Sequence, residues 1–300
     1  NSEKSNMDNS DLESKSTEEE VLASEIKHDA ITLELAKKES EHHTEGMAEL
    51  YTIMRGRSLT IRAYSSDDES TPYAMNKSNK NLKLVHFVRH GQGFHNLLAD
   101  IAQAQGREWK QFVKSATNPY ITPEILDAPL TQKGRQQARA LQQRTINDSE
   151  GNQVQLVALS SNCRALQTGI IAFEHLLDKQ IPFIAHEMLR EETGVHICDK
   201  RRPKSQQQRE FPMVDFSLIE NEDDLIFNDD RRENKMEVGE RIYKFMTWLA
   251  QRPEPVVAVT SHSGWLMTAF NGIFECDISL KPWFQTGEMR SVYLEFIERR

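Results

Sequence analysis

From about residue 82 onward, short apolar runs alternate along the chain with segments in which apolar positions recur at helical spacing. The apolar runs of strand length predict strands at 82–88, 155–160, around 183, 256–261 and 291–296. The helical spacing predicts helices at 131–144, 165–177, 237–250 and 265–274. Strands that alternate with helices in this way are typical of an α/β domain with a largely parallel sheet.

The first 80 residues have a different pattern. Residues 1–20 are mostly Ser, Asn and acidic residues with almost nothing apolar, which predicts disorder. Apolar positions over about 21–38 predict an amphipathic helix, either a loosely docked arm or a helix that binds a partner. Polar residues over 64–82 indicate a linker. We therefore predict an N-terminal extension over 1–80 and a folded domain over 81–300.

The net charge of −9 comes from the N-terminal part of the chain. Residues 1–50 carry 14 acidic and 5 basic side chains, whereas residues 51–300 carry 32 of each sign. A neutral body without a basic stripe gives little reason to expect a nucleic-acid or membrane partner. No run approaches the ~18 consecutive apolar residues that a membrane-spanning helix needs.

The three cysteines are widely spaced and form no Cys-x-x-Cys pair, so we expect neither a disulfide framework nor a structural zinc site. Free cysteines favour a reducing compartment, so we expect the protein in the cytoplasm, with the nucleus as a further location. The first residue is Asn rather than Met, so a leader could have been removed and secretion stays open.

Cationic and imidazole side chains follow three of the predicted strands. Arg89, His90 and Gly91 end the first strand, Arg164 follows the second, and His262 follows the strand at 256–261. Because the carboxyl ends of parallel strands share one edge of a sheet, we expect these side chains to lie close together. An imidazole can attack phosphorus while guanidinium groups hold the phosphoryl oxygens. The pattern therefore indicates chemistry on a phosphoryl group.

These motifs resemble those of the histidine phosphatase superfamily, which has the phosphoglycerate-mutase-like fold, over residues 82–297. Within it the chain looks most like the fungal and plant phosphomutase-like proteins. The matching motifs are Arg89-His90-Gly91-Gln92-Gly93-Phe94-His95-Asn96, Leu126-Asp127-Ala128-Pro129-Leu130-Thr131, Ser160-Ser161 with Arg164, Leu189-Arg190-Glu191, Cys198-Asp199-Lys200-Arg201 and His262-Ser263-Gly264. The resemblance implies a three-layer α/β/α sandwich with a mostly parallel central sheet, preceded by the acidic, partly disordered extension.

The resemblance also implies a two-step transfer. His90 would attack phosphorus and become a phosphohistidine, while Arg89, Arg164 and His262 hold the phosphoryl oxygens. Glu191, by its place in the Leu-Arg-Glu motif, would protonate the leaving oxygen and later activate water. Its neighbour Glu192 remains the alternative acid.

Further residues are candidates for binding the substrate. We expect Gly91 and Ser263 to contact it, whereas Asn96 is as easily an ordinary turn residue. Lys200 and Arg201 belong to a basic run that either is a solvated loop or caps the pocket, and the closeness of this run to Glu191 favours the pocket.

Two departures from phosphoglycerate mutases favour hydrolysis. Those enzymes have a phosphate-touching Ser where this chain has Gly93, and their Ser-Gly-Trp stretch has no counterpart in 118–128. The sequence therefore predicts a metal-independent phosphatase, without a cofactor, that acts on a small anionic phosphomonoester. The alternatives are a phosphomutase or phosphotransferase and a non-catalytic module that docks a phosphorylated partner. The substrate's identity and the oligomeric state stay open.

Overall fold

The computed structural model describes residues 46–66, 81–106, 118–147 and 153–299. The disorder predicted for 1–20 and the helix predicted at 21–38 lie outside these residues. The described helices are α1 (Met47–Met54), α2 (Phe94–Ala104), α3 (Gln132–Asn147), α4 (Cys163–Ala172), α5 (Lys204–Glu210), α6 (Lys235–Gln251) and α7 (Ser263–Thr268). The described strands are β1 (Leu59–Ser65), β2 (Leu82–Arg89), β3 (Leu156–Ser160), β4 (Phe183–His186), β5 (Val256–Ser261), β6 (Glu275–Cys276) and β7 (Met289–Glu298).

The described strands form one sheet in the order β4-β3-β5-β2-β7-β1-β6. Strand β7 is antiparallel to both of its neighbours, and every other neighbouring pair is parallel. The pairs Arg89↔Ser261 and Leu159↔Thr260 align the carboxyl ends of β2, β3 and β5. The predicted α/β class with a mostly parallel sheet is confirmed.

Helices cover both faces of this sheet. Phe87 on β2 packs against Phe270 at 5.4 Å and Phe274 at 5.9 Å between ring centroids. The next residue, Val88, belongs to a buried cluster that includes Leu141 of α3 together with Leu166 and Ala172 of α4. Successive side chains of a strand point to opposite faces, so the two sets of helical residues lie on opposite sides of β2. This arrangement gives the predicted three layers.

The predicted domain boundary at residue 81 is wrong for α1 and β1. Strand β1 pairs with β7 along its whole length, from Leu59↔Glu298 to Ser65↔Val292, and with β6 on its other side. Leu50 of α1 is fully buried. The sequence pattern hides this strand because exposed Arg62 interrupts its buried positions. The sheet therefore includes residues that we had assigned to the extension.

Two predicted helices end earlier than expected. Helix α4 stops at Ala172 and is followed by a 3₁₀ segment, Glu174–Lys179. Helix α7 is followed by a π-helical turn, Ala269–Ile273. In the described parts of the chain, no helix combines the length and the apolar character needed to cross a lipid bilayer.

Candidate active site

His90 follows the end of β2 and is held in one orientation. Its backbone N–H donates to Ser261 O at 3.1 Å, and its Nδ1 lies 2.7 Å from Gly91 O. A carbonyl oxygen can only accept, so Nδ1 carries the proton and Nε2 keeps its lone pair. Burial, followed by the charges of Arg164 and Arg89, lowers the pKa of His90 well below its usual value. The imidazole is therefore neutral and has a nucleophilic nitrogen.

Arg164, in the first turn of α4, contacts that nitrogen. Its Nε donates to His90 Nε2 at 3.3 Å, its Nη1 to Cys198 O at 2.7 Å and its Nη2 to Asp199 Oδ1 at 2.8 Å. Asp199 also accepts from Arg232 at 3.1 Å. Burial alone would raise the pKa of Asp199, but the two guanidinium charges lower it overall. This buried carboxylate therefore fixes the side chain of Arg164 against His90.

Arg89 supplies a second buried cation beside His90. Its Nη1 donates to Phe284 O at 2.7 Å, and its guanidinium lies 5.6 Å from the ring centroid of Trp283. The side chain thus has a fixed position, and its charge contributes to the low pKa of His90.

His262 directly follows β5, and its ring faces that of His90. The two ring centroids are 5.0 Å apart. His262 Nε2 lies 2.7 Å from Ser160 Oγ, whereas its buried Nδ1 has no hydrogen-bond partner among the described residues. Burial, and then the charge of Arg164, lowers the pKa of His262 well below its usual value. If Ser160 donates to Nε2, the Nδ1–H is available to a ligand.

Glu191 contacts the residues that follow His262 and accepts four hydrogen bonds. Oε1 accepts from the backbone N–H groups of Glu192 and Trp265, and Oε2 accepts from Gly264 N and from the Ser263 hydroxyl, all at 3.0 to 3.1 Å.

Glu192 has different surroundings. Its carboxylate is 2.5 Å from Lys235 Nζ and 3.5 Å from Arg232 Nε. The Glu191 carboxylate therefore contacts the segment that contains His262, whereas the Glu192 carboxylate pairs with Lys235.

Three predicted substrate-binding residues lie next to these groups but have partners within the protein. Gly91 N donates to Thr168 Oγ1 at 3.0 Å, and Ser263 Oγ donates to Glu191. Asn96 Oδ1 accepts from Gly93 N at 2.9 Å and so caps α2. The structure does not support a substrate contact through Gly91 N–H. A Cβ atom at Gly91 would come within 2.4 Å of a neighbouring backbone oxygen, so the glycine is required for packing.

The structure does not support the prediction that the side chain of Arg201 binds substrate. Its side chain is fully buried, and its five N–H donors are all used. The acceptors are the Glu187 carboxylate and the backbone oxygens of Arg202, Asn221, Glu222 and Asp223. No donor is left for a ligand.

Lys200 is more accessible, but the structure does not bring it to His90. Its ammonium lies 3.4 Å from Asp229 and 4.8 Å from the ring centroid of Phe227. It lines a cavity of about 480 Å³ together with Leu126 and Ile197. Among the described residues, no contact links Lys200 to His90 or Arg164.

Two residues of the site were given no role by the sequence analysis. Asp199 belongs to the Cys-Asp-Lys-Arg motif, but nothing in the sequence says that it would pair with Arg164. The ring of His95 lies 5.6 Å from that of His90. Its place one residue before Asn96 in the first motif was the available signal. Within the described ranges, no three His, Cys, Asp or Glu side chains are grouped as a metal site.

Comparison with known proteins gives a consistent assignment. The family model described as histidine phosphatase superfamily (branch 1) matches residues 120–300. The chain is 31% identical over 242 residues to phosphoglycerate mutase-like protein 1 of Arabidopsis thaliana, covering 71% of this chain and 81% of that protein. It is 29% identical over 204 residues to phosphomutase-like protein 3 of Candida albicans, covering 67% and 61% respectively.

A solved structure of a mycobacterial glucosyl-3-phosphoglycerate phosphatase in complex with VO3 covers 72% of this chain, and the chain covers 98% of that protein. The TM-score is 0.42 and the sequence identity 16%. The family match and the Arabidopsis relative carry the assignment: the chain belongs to branch 1 of the histidine phosphatase superfamily.

Proposed function

We propose that this protein is a metal-independent phosphatase that hydrolyses a small phosphomonoester through a phosphohistidine at His90. The observation that carries the proposal is the state of His90. Gly91 O holds the proton of the ring on Nδ1, and Nε2 directs its lone pair toward the Arg164 guanidinium. A neutral imidazole that presents one nitrogen to fixed cations is suited to attack a phosphoryl dianion.

In the first step, Nε2 of His90 attacks phosphorus in line with the leaving oxygen. The N–P bond forms, the P–O bond breaks, and the leaving oxygen takes a proton. Because Arg164 Nε–H donates to the lone pair of Nε2 in the free site, this hydrogen bond breaks as Nε2 attacks phosphorus. That N–H then donates to a phosphoryl oxygen. Arg89 and Arg164 offset charge on the non-bridging oxygens, and His262 donates to one of them from Nδ1.

In the second step, water attacks phosphorus, loses a proton and releases inorganic phosphate as the N–P bond breaks. His90 returns to its neutral form. Asp199 stays paired with Arg164 and Arg232 throughout, so Arg164, which acts as a clamp on the phosphoryl oxygens, need not reorganise between the steps.

We propose Glu191 as the group that moves the proton in both steps. Three of its four partners are backbone N–H groups, which only donate, but the Ser263 hydroxyl can also accept. Rotation of that hydroxyl lets Oε2 carry a proton without losing its contact to Ser263. Glu192 instead forms an ion pair with Lys235.

A leaving-group comparison tests this choice. We expect Glu191→Gln to lower kcat/KM for an alkyl phosphate by about 10²- to 10⁴-fold, because the poor leaving group must be protonated. For p-nitrophenyl phosphate, whose leaving group needs little protonation, we expect less than about 10-fold. Glu192→Gln is the matched control and should affect both esters alike. If Glu192→Gln shows the selectivity instead, the acid is the neighbouring residue.

Hydrolysis is favoured over mutase chemistry by the cations around the site. A mutase must retain its dephosphorylated intermediate and exclude water. Of the two basic residues that the sequence suggested for the pocket, Arg201 has no free donor and Lys200 pairs with Asp229. Gly93 offers no hydroxyl at the position where mutases have Ser. A docking module would need the arginines but not a neutral nucleophile.

The experiment that tests the function measures alcohol and inorganic phosphate released from a panel of phosphomonoesters, with EDTA, from about pH 5 to pH 8. We expect EDTA-resistant turnover, equal amounts of the two products, and a base-stable, acid-labile phosphoprotein after rapid quenching. Less phosphate than alcohol would indicate transfer to another acceptor. Vanadate binding without turnover would indicate a docking module, and turnover abolished by EDTA would contradict metal independence.

A further inference from the structure

His95 has a buried ring nitrogen that nothing in the described protein satisfies. It lies in the first turn of α2 and is 8% exposed, whereas the preceding Phe94 is 45% exposed. His95 Nδ1 is buried and has no hydrogen-bond partner among the described residues. A buried polar atom without a partner is costly, and in a native site it commonly marks the position of a ligand or a bound water.

The position of this imidazole connects it to the phosphoryl site. Its ring centroid is 5.6 Å from that of His90. A Cβ atom placed on Gly93 would lie 2.7 Å from His95 Nδ1 and 3.4 Å from Arg164 Cδ. The imidazole and the Arg164 side chain therefore flank the same gap above Gly93. Any side chain at residue 93 would collide with His95, so the glycine makes room for the imidazole.

The charges that face His95 favour an anion in this gap. Burial, followed by the charges of Arg164, His90, Arg89 and His196, lowers the pKa of His95 well below its usual value. All four of these groups are cationic when charged, and none of them is a carboxylate. A neutral imidazole N–H beside these cations can donate to an anion, and a bound dianion offsets the repulsion among them.

We propose that His95 contacts the phosphoryl group directly and donates a hydrogen bond from Nδ1 to a non-bridging oxygen. It would be a third imidazole in the pocket, in addition to the nucleophile His90 and to His262. The proposal rests on the phosphoryl site described under the proposed function. It adds to that function a residue that affects the affinity for phosphate through the position of its N–H donor rather than through the size of its ring.

Three substitutions separate the donor from the ring. The amide of His95→Asn reaches the position of Nδ1, that of His95→Gln reaches the position of Nε2, and His95→Phe keeps the ring without a donor. We expect His95→Phe and His95→Gln to weaken orthovanadate inhibition and kcat/KM for p-nitrophenyl phosphate by about 10- to 100-fold, as for a lost hydrogen bond to a charged group. We expect His95→Asn to stay within about 5-fold of the wild type.

The pattern across the three variants decides the assignment, with thermal midpoints measured on each to check that it folds. Equal losses in His95→Asn and His95→Phe would mean that the ring acts by packing, and wild-type affinity in His95→Phe would mean that no contact exists. Either result overturns the proposal. The dissociation constant of inorganic phosphate, measured by calorimetry on wild type and variants, tests the contact even if the wild type hydrolyses no ester. Phosphate binding does not depend on turnover, so a failure of the proposed phosphatase function is distinguished from a failure of the His95 contact.

Discussion

His90→Ala is expected to lower kcat/KM by about 10⁴-fold or more and to abolish the phosphoprotein, because the nucleophile is removed. The arginines and His262 remain in place, so the variant should still bind vanadate. Hydrolysis of p-nitrophenyl phosphate measures the first effect, and rapid alkaline quenching after mixing with a ³²P-labelled ester measures the second. Retention of more than about one hundredth of the activity would contradict the nucleophile assignment.

His175→Ala is the matched control for this variant. His175 lies in the 3₁₀ segment Glu174–Lys179, outside the site. Its substitution should leave the kinetics unchanged. The thermal midpoint of His90→Ala should stay close to that of the control, which shows that the loss of activity is not a loss of fold.

Arg164→Lys is expected to lower kcat/KM by about 10³-fold although the charge is conserved. The guanidinium contacts His90, Cys198 O and Asp199 from three different nitrogens. A lysine ammonium is a single point and cannot reach all three acceptors and a phosphoryl oxygen together. We expect most of the effect in kcat, because the clamp acts on charge that develops in the transition state.

Arg209→Lys is the control for Arg164→Lys. It makes the same chemical change at an exposed position on α5, in the basic run of the sequence. Its steady-state kinetics on p-nitrophenyl phosphate should match the wild type. A loss below about 10-fold in Arg164→Lys would show that charge alone suffices and that the fork geometry has no role.

Much of the site was predictable from the sequence because its residues lie at the carboxyl ends of strands. Strands β2, β3 and β5 are mostly apolar and are buried along nearly their whole length, as expected of strands buried on both faces. Their parallel pairing brings His90, Arg164 and His262 to one edge, as predicted. Local pattern sufficed here because backbone register, rather than side-chain packing, sets these positions.

The rest depends on partners that are distant in sequence. Arg201 looks like a free cation, and only the fold shows that Glu187 and the 221–223 segment accept from four of its five donors and Arg202 O from the fifth. The pairing of Asp199 with Arg164 and the orphaned nitrogen of His95 are likewise visible only in three dimensions. Strand β1 escaped notice because its partner β7 lies more than 220 residues later in the chain.

The placement of β7 has a consequence for biosynthesis. This last described strand lies between β1 and β2, two of the earliest, and β2 meets its other neighbour only at β5. While the ribosome is still adding residues 100–250, the buried strand β2 has no sheet partner. During that time the apolar faces of α1 and β2 remain unpaired in the nascent chain. We therefore expect the sheet to close only after β7 has left the ribosome, with a slow final step and a need for chaperones that shield β2.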